Sequence, residues 1–270
     1  TGGKLPDSST NSYHATPYQT ASINAVTGRG RWLDGVDDRL NMGDVLDDVF
    51  TPLEAQFAIS LWYKPGPAVA DKYLMTKNSD ISENMRQWIF RIYMGSRPEF
   101  FWYGELNGSS YVGMRGYTSI NNTSKWYNLV ATYDAAEHYT NRTRLYVNGQ
   151  PEGLTNDWLD ANPVPTVIRD GTAPVAFGAK LNTAGTSSGN NIVGSFDEVR
   201  ILQTVPSSNW VWASWFNMAS NSSFVTYDPV TSNMTVDVLD PDRITPTTAR
   251  LNGFIAHAGA GENPKAYFCW

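Results

Sequence analysis

The chain has 270 residues, of which 41% are hydrophobic, 13% aromatic and 17% charged, and its formal net charge is −6 at pH 7. This apolar content excludes a disordered polypeptide, and the acidic balance, with no long run of Lys or Arg, excludes the electrostatic footprint of a nucleic-acid binder. No apolar run reaches the roughly 18 residues of a membrane-spanning helix, and the opening TGGKLPDSST has neither the charged nor the apolar region of a signal peptide. The lone Cys269 excludes an internal disulfide or a cysteine-based zinc cluster. The 10 Trp, 14 Tyr and 11 Phe exceed what a core of this size requires. Rings on a working surface are therefore expected, with sugar stacking as the first candidate.

Residues 1–30 are rich in Ser, Thr, Asn, Gly and Pro and read as an irregular or weakly paired lead-in. From Trp32 the texture changes to short β-branched or aromatic runs separated by turn residues: RWLDGVDDRLNM, FAISLWYKPG, KYLMTK, QWIFRIYM, EFFWYGEL, SYVGMRG, KWYNLVATYD, TRLYVNGQ, APVAFGAKL and VGSFDEVRIL. Their length and spacing predict an all-β sandwich. Several alternate cleanly, as Phe57, Ile59 and Leu61 do against Ala58, Ser60 and Trp62, which sends one set inward. Asn148-Gly149 marks a hairpin turn. One short helix is expected near 207–218, capped by Ser207 or Ser208, with Trp212, Trp215 and Phe216 on one face. Past residue 228, ARLNGFIA and AYFCW read as two further strands, too few for an independent domain. The expected organisation is thus a lead-in (1–30) belonging to the sandwich, a main domain (31–228), and a linker plus incomplete strands (229–270).

The ordered motifs DSSTNSYHAT (7–16), LDGVDDRLNMGD (33–44), FAISLWYKP (57–65), WYNLVATYD (126–134), RLYVNGQ (144–150), VAFGAK (175–180) and GSFDEVRIL (194–202) resemble the LamG-like jelly-roll domains of the concanavalin A-like lectin/glucanase superfamily. TPTTARLNGFI is similar to the start of a bacterial fibronectin type III-like module. The resemblance implies a two-sheet antiparallel jelly roll with loops at its rims. It also implies that the family strand normally preceding DSSTN is missing. A fold of this kind hosts lectins, hydrolases, adhesion modules and spacers, so function is decided by the site.

Hydrolytic relatives carry an E-x-D-x-x-E strand, which this chain lacks. Asp197 and Glu198 are adjacent and point to opposite faces of a strand, while Glu99 and Glu105 share a face about 20 Å apart, so neither pair makes a catalytic couple. His14, His138 and His257 sit in turn-like contexts outside any catalytic motif and read as loop histidines. A structural Ca2+ site is the sharper expectation, because hard cations need several oxygen ligands and LDGVDD supplies Asp34, Asp37 and Asp38. By resemblance, the aspartate of the F-D-E-V-type strand joins it, which selects Asp197 with Asp34 as partner.

For a ligand, EFFWYGEL places Phe100 and Trp102 on one face and Phe101 and Tyr103 on the other; one pair must face the core. Phe100 and Trp102 are taken as ligand contacts, with Arg91 and Arg115 supplying hydrogen bonds if their strands lie alongside, and burial of both pairs is the competing reading. Trp158, in a polar stretch read as a rim loop, is a second candidate. Asn107, Asn121, Asn122, Asn141, Asn221 and Asn233 head N-x-S/T sequons, which suit a surface outside the cell. The sequence therefore points to a non-catalytic, secreted or surface-displayed binding or adhesion module of a larger bacterial protein, with a glycan or surface polysaccharide as ligand. The alternative is a structural subunit of an extracellular fibre or layer that engages neighbouring copies through its C-terminal strands.

Overall fold

The computed structural model describes residues 3–67, 71–79, 82–104, 110–160, 165, 167–225, 235–242 and 250–257, the last two ranges and residues 83, 157–160 and 188 by backbone alone. The first strands are Thr16–Tyr18 (β1), Ala21–Asn24 (β2), Arg29–Asp34 (β3) and Arg39–Gly43 (β4), followed by a one-turn helix, Asp47–Phe50 (α1). Next come Gln56–Pro65 (β5), Lys72–Asn78 (β6), Arg86–Tyr93 (β7), Arg97–Tyr103 (β8) and Tyr111–Gly116 (β9). Tyr127–Asp134 (β10), Thr143–Val147 (β11), Gln150–Pro151 (β12) and Leu154–Asp160 (β13) follow. Val175–Phe177 (β14), Lys180–Leu181 (β15), Ser187–Gly189 (β16) and Val193–Leu202 (β17) precede the helix Ser208–Ala219 (α2), and Thr235–Asp242 (β18) and Arg250–His257 (β19) come last.

Two antiparallel sheets make the sandwich, one of eight strands in the order β1-β4-β14-β6-β7-β8-β9-β13 and one of seven in the order β12-β11-β10-β5-β17-β3-β2. Alternation decides which residues fill the space between them. Phe57, Ile59, Leu61 and Tyr63 of β5 enter the main core with Phe90, Phe100 and Trp102 of the opposite sheet, whereas Ala58 faces out beneath Val211 of α2. Rings from both sheets interlock edge to face, with Trp102 5.4 Å from Tyr133 and Phe57 6.1 Å from Phe100. Such pairs add to the burial that drives the layers together.

The predicted turn and cap are present. Asn148 (φ +50°) and Gly149 (φ +73°) close the β11–β12 hairpin in the left-handed conformation that this turn demands. The Ser207 side chain accepts a hydrogen bond from the Trp210 N–H and starts α2. The packed face of α2 differs from expectation, since Val211 is its buried residue and Trp212 is 41% exposed, with its ring stacked on Phe216. The lead-in is also more ordered than its composition suggests, because β1 pairs with β4 and β2 with β3 at the sheet edges.

By internal contacts the chain forms two compact units, Thr1–Asn221 and Ser222–Trp270. In the second, β18 and β19 pair antiparallel. The expected AYFCW strand, Cys269 and residues 245–249 of the fibronectin-like stretch lie outside the described residues, whereas the rest of that stretch is in β19. Among the described residues no helix is long and apolar enough to cross a membrane.

Candidate functional site

The outer face of the eight-stranded sheet carries an unusual concentration of rings and charges. Strands β7, β8 and β9 are neighbours, and their register sets Arg91 opposite Glu99 and Glu99 opposite Arg115, a cross-strand row of alternating charge. The next row on this face is Ile89, Phe101 and Gly113, followed by Tyr103 opposite Tyr111. Phe101, Tyr103 and Tyr111 form a three-ring cluster with centroid separations of 5.0, 5.1 and 6.1 Å. Tyr73 and Ile89 complete this patch, which is separate from the main core. Tyr103, Tyr111 and Arg115 are half-buried, whereas Tyr73, Phe101 and Arg91 lie beneath the surface.

Charge on this face is tightly organised. Arg91 Nε donates to Glu99 Oε2, and Arg91 Nη1 donates to Asp71 Oδ1 at 3.3 Å. The Glu99 side chain is 0% exposed and that of Arg91 11%. Burial pulls the Arg91 pKa down, but Glu99, Tyr73 and Asp71 more than offset it and hold the guanidinium in its charged form. The Tyr93 ring lies 3.9 Å below that guanidinium, a cation–π contact. Arg91 thus anchors the face, and its Nη2 has no partner among the described residues.

Of the sequence candidates, Arg91 and Arg115 are brought to the same row, on strands that do lie alongside β8. Phe100 and Trp102 are not ligand contacts. Both are 0% exposed within the main core, because strand parity gives the interior to this pair and leaves Phe101 and Tyr103 outside. The stretch around Trp158 is a strand, not a rim loop: β13 runs along β9 with Trp158 opposite Gly113 and a bulge between Asn156 and Trp158. Its side chain is outside the described residues, as is Glu105. Tyr111 was missed by sequence reasoning; only its register opposite Tyr103 reveals it.

The expected metal pair is also corrected. Val193 pairs with Asp34 and Phe196 with Arg31, so Asp197 sits four positions along the ladder from Asp34, about 13 Å at the usual strand rise. Asp197 instead accepts hydrogen bonds from the N–H groups of Thr27 and Glu198, both at 2.9 Å, and so braces the β2–β3 turn. Burial pushes its pKa up against these bonds. Asp34, Asp37 and Asp38 do converge, with carboxylate oxygens within 4.8 Å of one another. Part of their capacity holds the turn together, since Asp38 Oδ2 accepts from the Asp34 N–H and Asp34 Oδ1 from the Val36 N–H. The histidines behave as loop residues: His14 Nδ1 accepts from the Asp7 N–H, and His138 Nδ1 bonds the Thr140 hydroxyl; the side chain of His257 is outside the described residues.

Residues 34–212 match the laminin G-type family described as the concanavalin A-like lectin/glucanases superfamily, and the chain belongs to it. Among solved structures, the binding domain of Paraclostridial Mosquitocidal Protein 1 is similar over 80% of this chain and 50% of its own, at 12% identity and a TM-score of 0.57. Domain 4 of AbnA, a GH43 extracellular arabinanase from Geobacillus stearothermophilus in complex with arabinotriose, is similar over 77% of this chain and 91% of its own, at 17% identity and a TM-score of 0.54. The binding domain of botulinum neurotoxin serotype G is similar over 79% of this chain and 49% of its own, at 12% identity and a TM-score of 0.55. The chain thus spans about half the length of the toxin binding domains it resembles. These similarities describe the fold. Among curated proteins none matches the chain.

Proposed function

We propose that this chain is a non-catalytic carbohydrate-binding module that acts outside the cell, and that it holds its ligand on the outer face of the eight-stranded sheet. The observation that carries this reading is the three-ring cluster of Phe101, Tyr103 and Tyr111 set beside the Arg91–Glu99–Arg115 row. Half-buried tyrosine rings offer a flat apolar surface to the C–H face of a sugar, and a neighbouring arginine offers planar donors to its hydroxyls. The arabinanase domain with bound arabinotriose supports the reading, as a similar sandwich that takes a sugar chain.

A non-catalytic role fits the charges on this face. Asp71 and Glu99 are both bound to the Arg91 guanidinium, whereas a glycosidase needs one carboxyl to donate a proton and another to attack or activate water. We further assign a structural Ca2+ to Asp34, Asp37 and Asp38 rather than to the Asp34–Asp197 pair. The test is a glycan array followed by calorimetric titration of the best ligand. Tyr103→Ala and Tyr111→Ala should each lose at least about tenfold in affinity, and Trp210→Ala on α2 should lose none. Retention of no glycan at all, or an equal loss in Trp210→Ala, refutes the reading.

A further inference from the structure

Strand β8 carries one more polar side chain on the ligand face. Its pairing with β7 runs without a shift from Trp88–Trp102 to Tyr93–Arg97, so its outward residues are Arg97, Glu99, Phe101 and Tyr103. Arg97 therefore lies at the opposite end of this face from Tyr103, about 20 Å away at the usual strand rise. The row of Arg91, Glu99 and Arg115 crosses the sheet between them.

The end of the face where Arg97 stands is held in place. The turn before Arg97 is tied to the loop after β9, since the Ser119 hydroxyl donates to the Gly95 carbonyl at 2.7 Å and the Ile120 N–H to the Ser96 carbonyl at 2.6 Å. The Arg97 guanidinium lies over the Tyr117 ring, 5.9 Å from its centroid, and the Tyr117 hydroxyl accepts a hydrogen bond from Thr155 of β13 at 2.9 Å. Arg97 is half-buried.

No acid answers this charge. Among the described residues the Arg97 side chain has neither an ion pair nor a hydrogen bond. The carboxylates on and beside the face are engaged elsewhere: Glu99 and Asp71 bind Arg91, and Glu152 accepts from the N–H groups of Tyr117 and Thr118 and from the Thr118 hydroxyl. A guanidinium carries five donors in a fork that matches two oxygens of an anion. We propose that Arg97 forms an anion subsite, and that the glycan held on this face is an acidic one, with a carboxylate or sulfate set several sugars away from the ring stacked on Tyr103 and Tyr111. This rests on the ligand-face reading above and names the class of its ligand. An extended sugar chain laid along β8 meets the tyrosine cluster at one end and Arg97 at the other, while Arg91 and Arg115 between them donate to hydroxyls. The net charge of −6 disfavours anionic polymers in general, so an acid group gains only where it falls in register with Arg97.

The test uses the full chain and matched oligosaccharides in calorimetric titrations at low and high salt. Hyaluronan and oligogalacturonate are each titrated beside their carboxyl-reduced forms, which keep the backbone and lose the charge, and dextran sulfate beside dextran separates sulfate from carboxylate. The acidic member of at least one pair should bind about tenfold or more tighter than its neutral counterpart, and high salt should erode the difference. Arg97→Met should lower affinity for the acidic member to that of the neutral one and cancel the salt dependence. Arg97→Lys keeps the charge without the fork and should keep part of the preference. Equal binding within every pair, or an Arg97→Met variant that retains the preference, overturns the proposal. Equal binding that Tyr103→Ala abolishes would leave the ligand face standing while the anion subsite falls. Binding to none of these sugars also overturns the anion subsite, and the glycan array then decides the ligand face by itself.

Discussion

Replacement of Glu99 by Gln tests the organisation of the ligand face without changing its shape. In the native chain Glu99 is 0% exposed and Arg91 only 11%, so the pair lies far from bulk water. Removing one partner from a buried ion pair costs about 3–5 kcal/mol, because the remaining charge is left desolvated. Asp71 still reaches Arg91 at 3.3 Å but is 51% exposed, and it offsets part of that cost. The expected loss is therefore at the lower end, about 3 kcal/mol, equivalent to a fall in Tm of about 6–12 °C for a domain of this size. Urea denaturation should show a lower midpoint with an unchanged slope. Glu198→Gln provides the contrast, since its Arg200 partner is 45% exposed and such surface pairs contribute less than about 1 kcal/mol. The double replacement Arg91→Met with Glu99→Leu should recover most of the stability lost in Glu99→Gln, because the buried pair is removed together and Asp71, which loses Arg91, is 51% exposed and solvated. A loss below about 1 kcal/mol for Glu99→Gln would mean that water screens the pair, and the argument for a rigid, charge-anchored face would fail.

Gly149→Ala should destabilise by more than about 1 kcal/mol in thermal unfolding, since φ is +73° and the added Cβ would lie 2.9 Å from the Trp215 ring. Burial raises the folded-state pKa of Asp197 above the ordinary value of 3.8, so its contribution to stability is fully present below about pH 4 and is lost as pH rises through the folded value. The stability of the native chain relative to Asp197→Asn should accordingly decline as pH rises above about 4; a constant difference would contradict the assignment. Calcium should raise Tm, and by less at low pH, because burial also lifts the Asp38 pKa and protons compete for its carboxylate. Asp37→Asn should reduce that response while Asp197→Asn preserves it, and a melting curve indifferent to calcium would remove the site.

Much of the fold was legible because strand parity is a local property. Phe57, Ile59 and Leu61 enter the core as their alternation requires, and Asn148-Gly149 makes the hairpin that its backbone preference dictates. The ligand face was only half legible. The sequence showed that one of the pairs Phe100/Trp102 and Phe101/Tyr103 must face outward, but which one depends on the sheet that covers the strand, a non-local fact. The larger rings went inward, where they fill the most volume against Tyr133. Trp158 read as part of a loop because its neighbours Asn156, Asp157 and Asp160 are poor strand formers, yet pairing with β9 at the sheet edge overrides that preference. The calcium expectation failed at Asp197 because adjacency of strands was anticipated but register was not: β3 and β17 are neighbours, and four positions of ladder separate the two carboxylates.

Mapping a bound oligosaccharide onto the chain by backbone amide NMR tests the central claim most directly. With the best ligand from the glycan array, the account predicts shift changes confined to β7, β8 and β9, greatest around Tyr103, Tyr111 and Arg115, and absent from Arg115→Met at the same ligand concentration. Shift changes centred instead on the β2–β3 turn, on α2 or on the Asp34–Asp38 loop would contradict it.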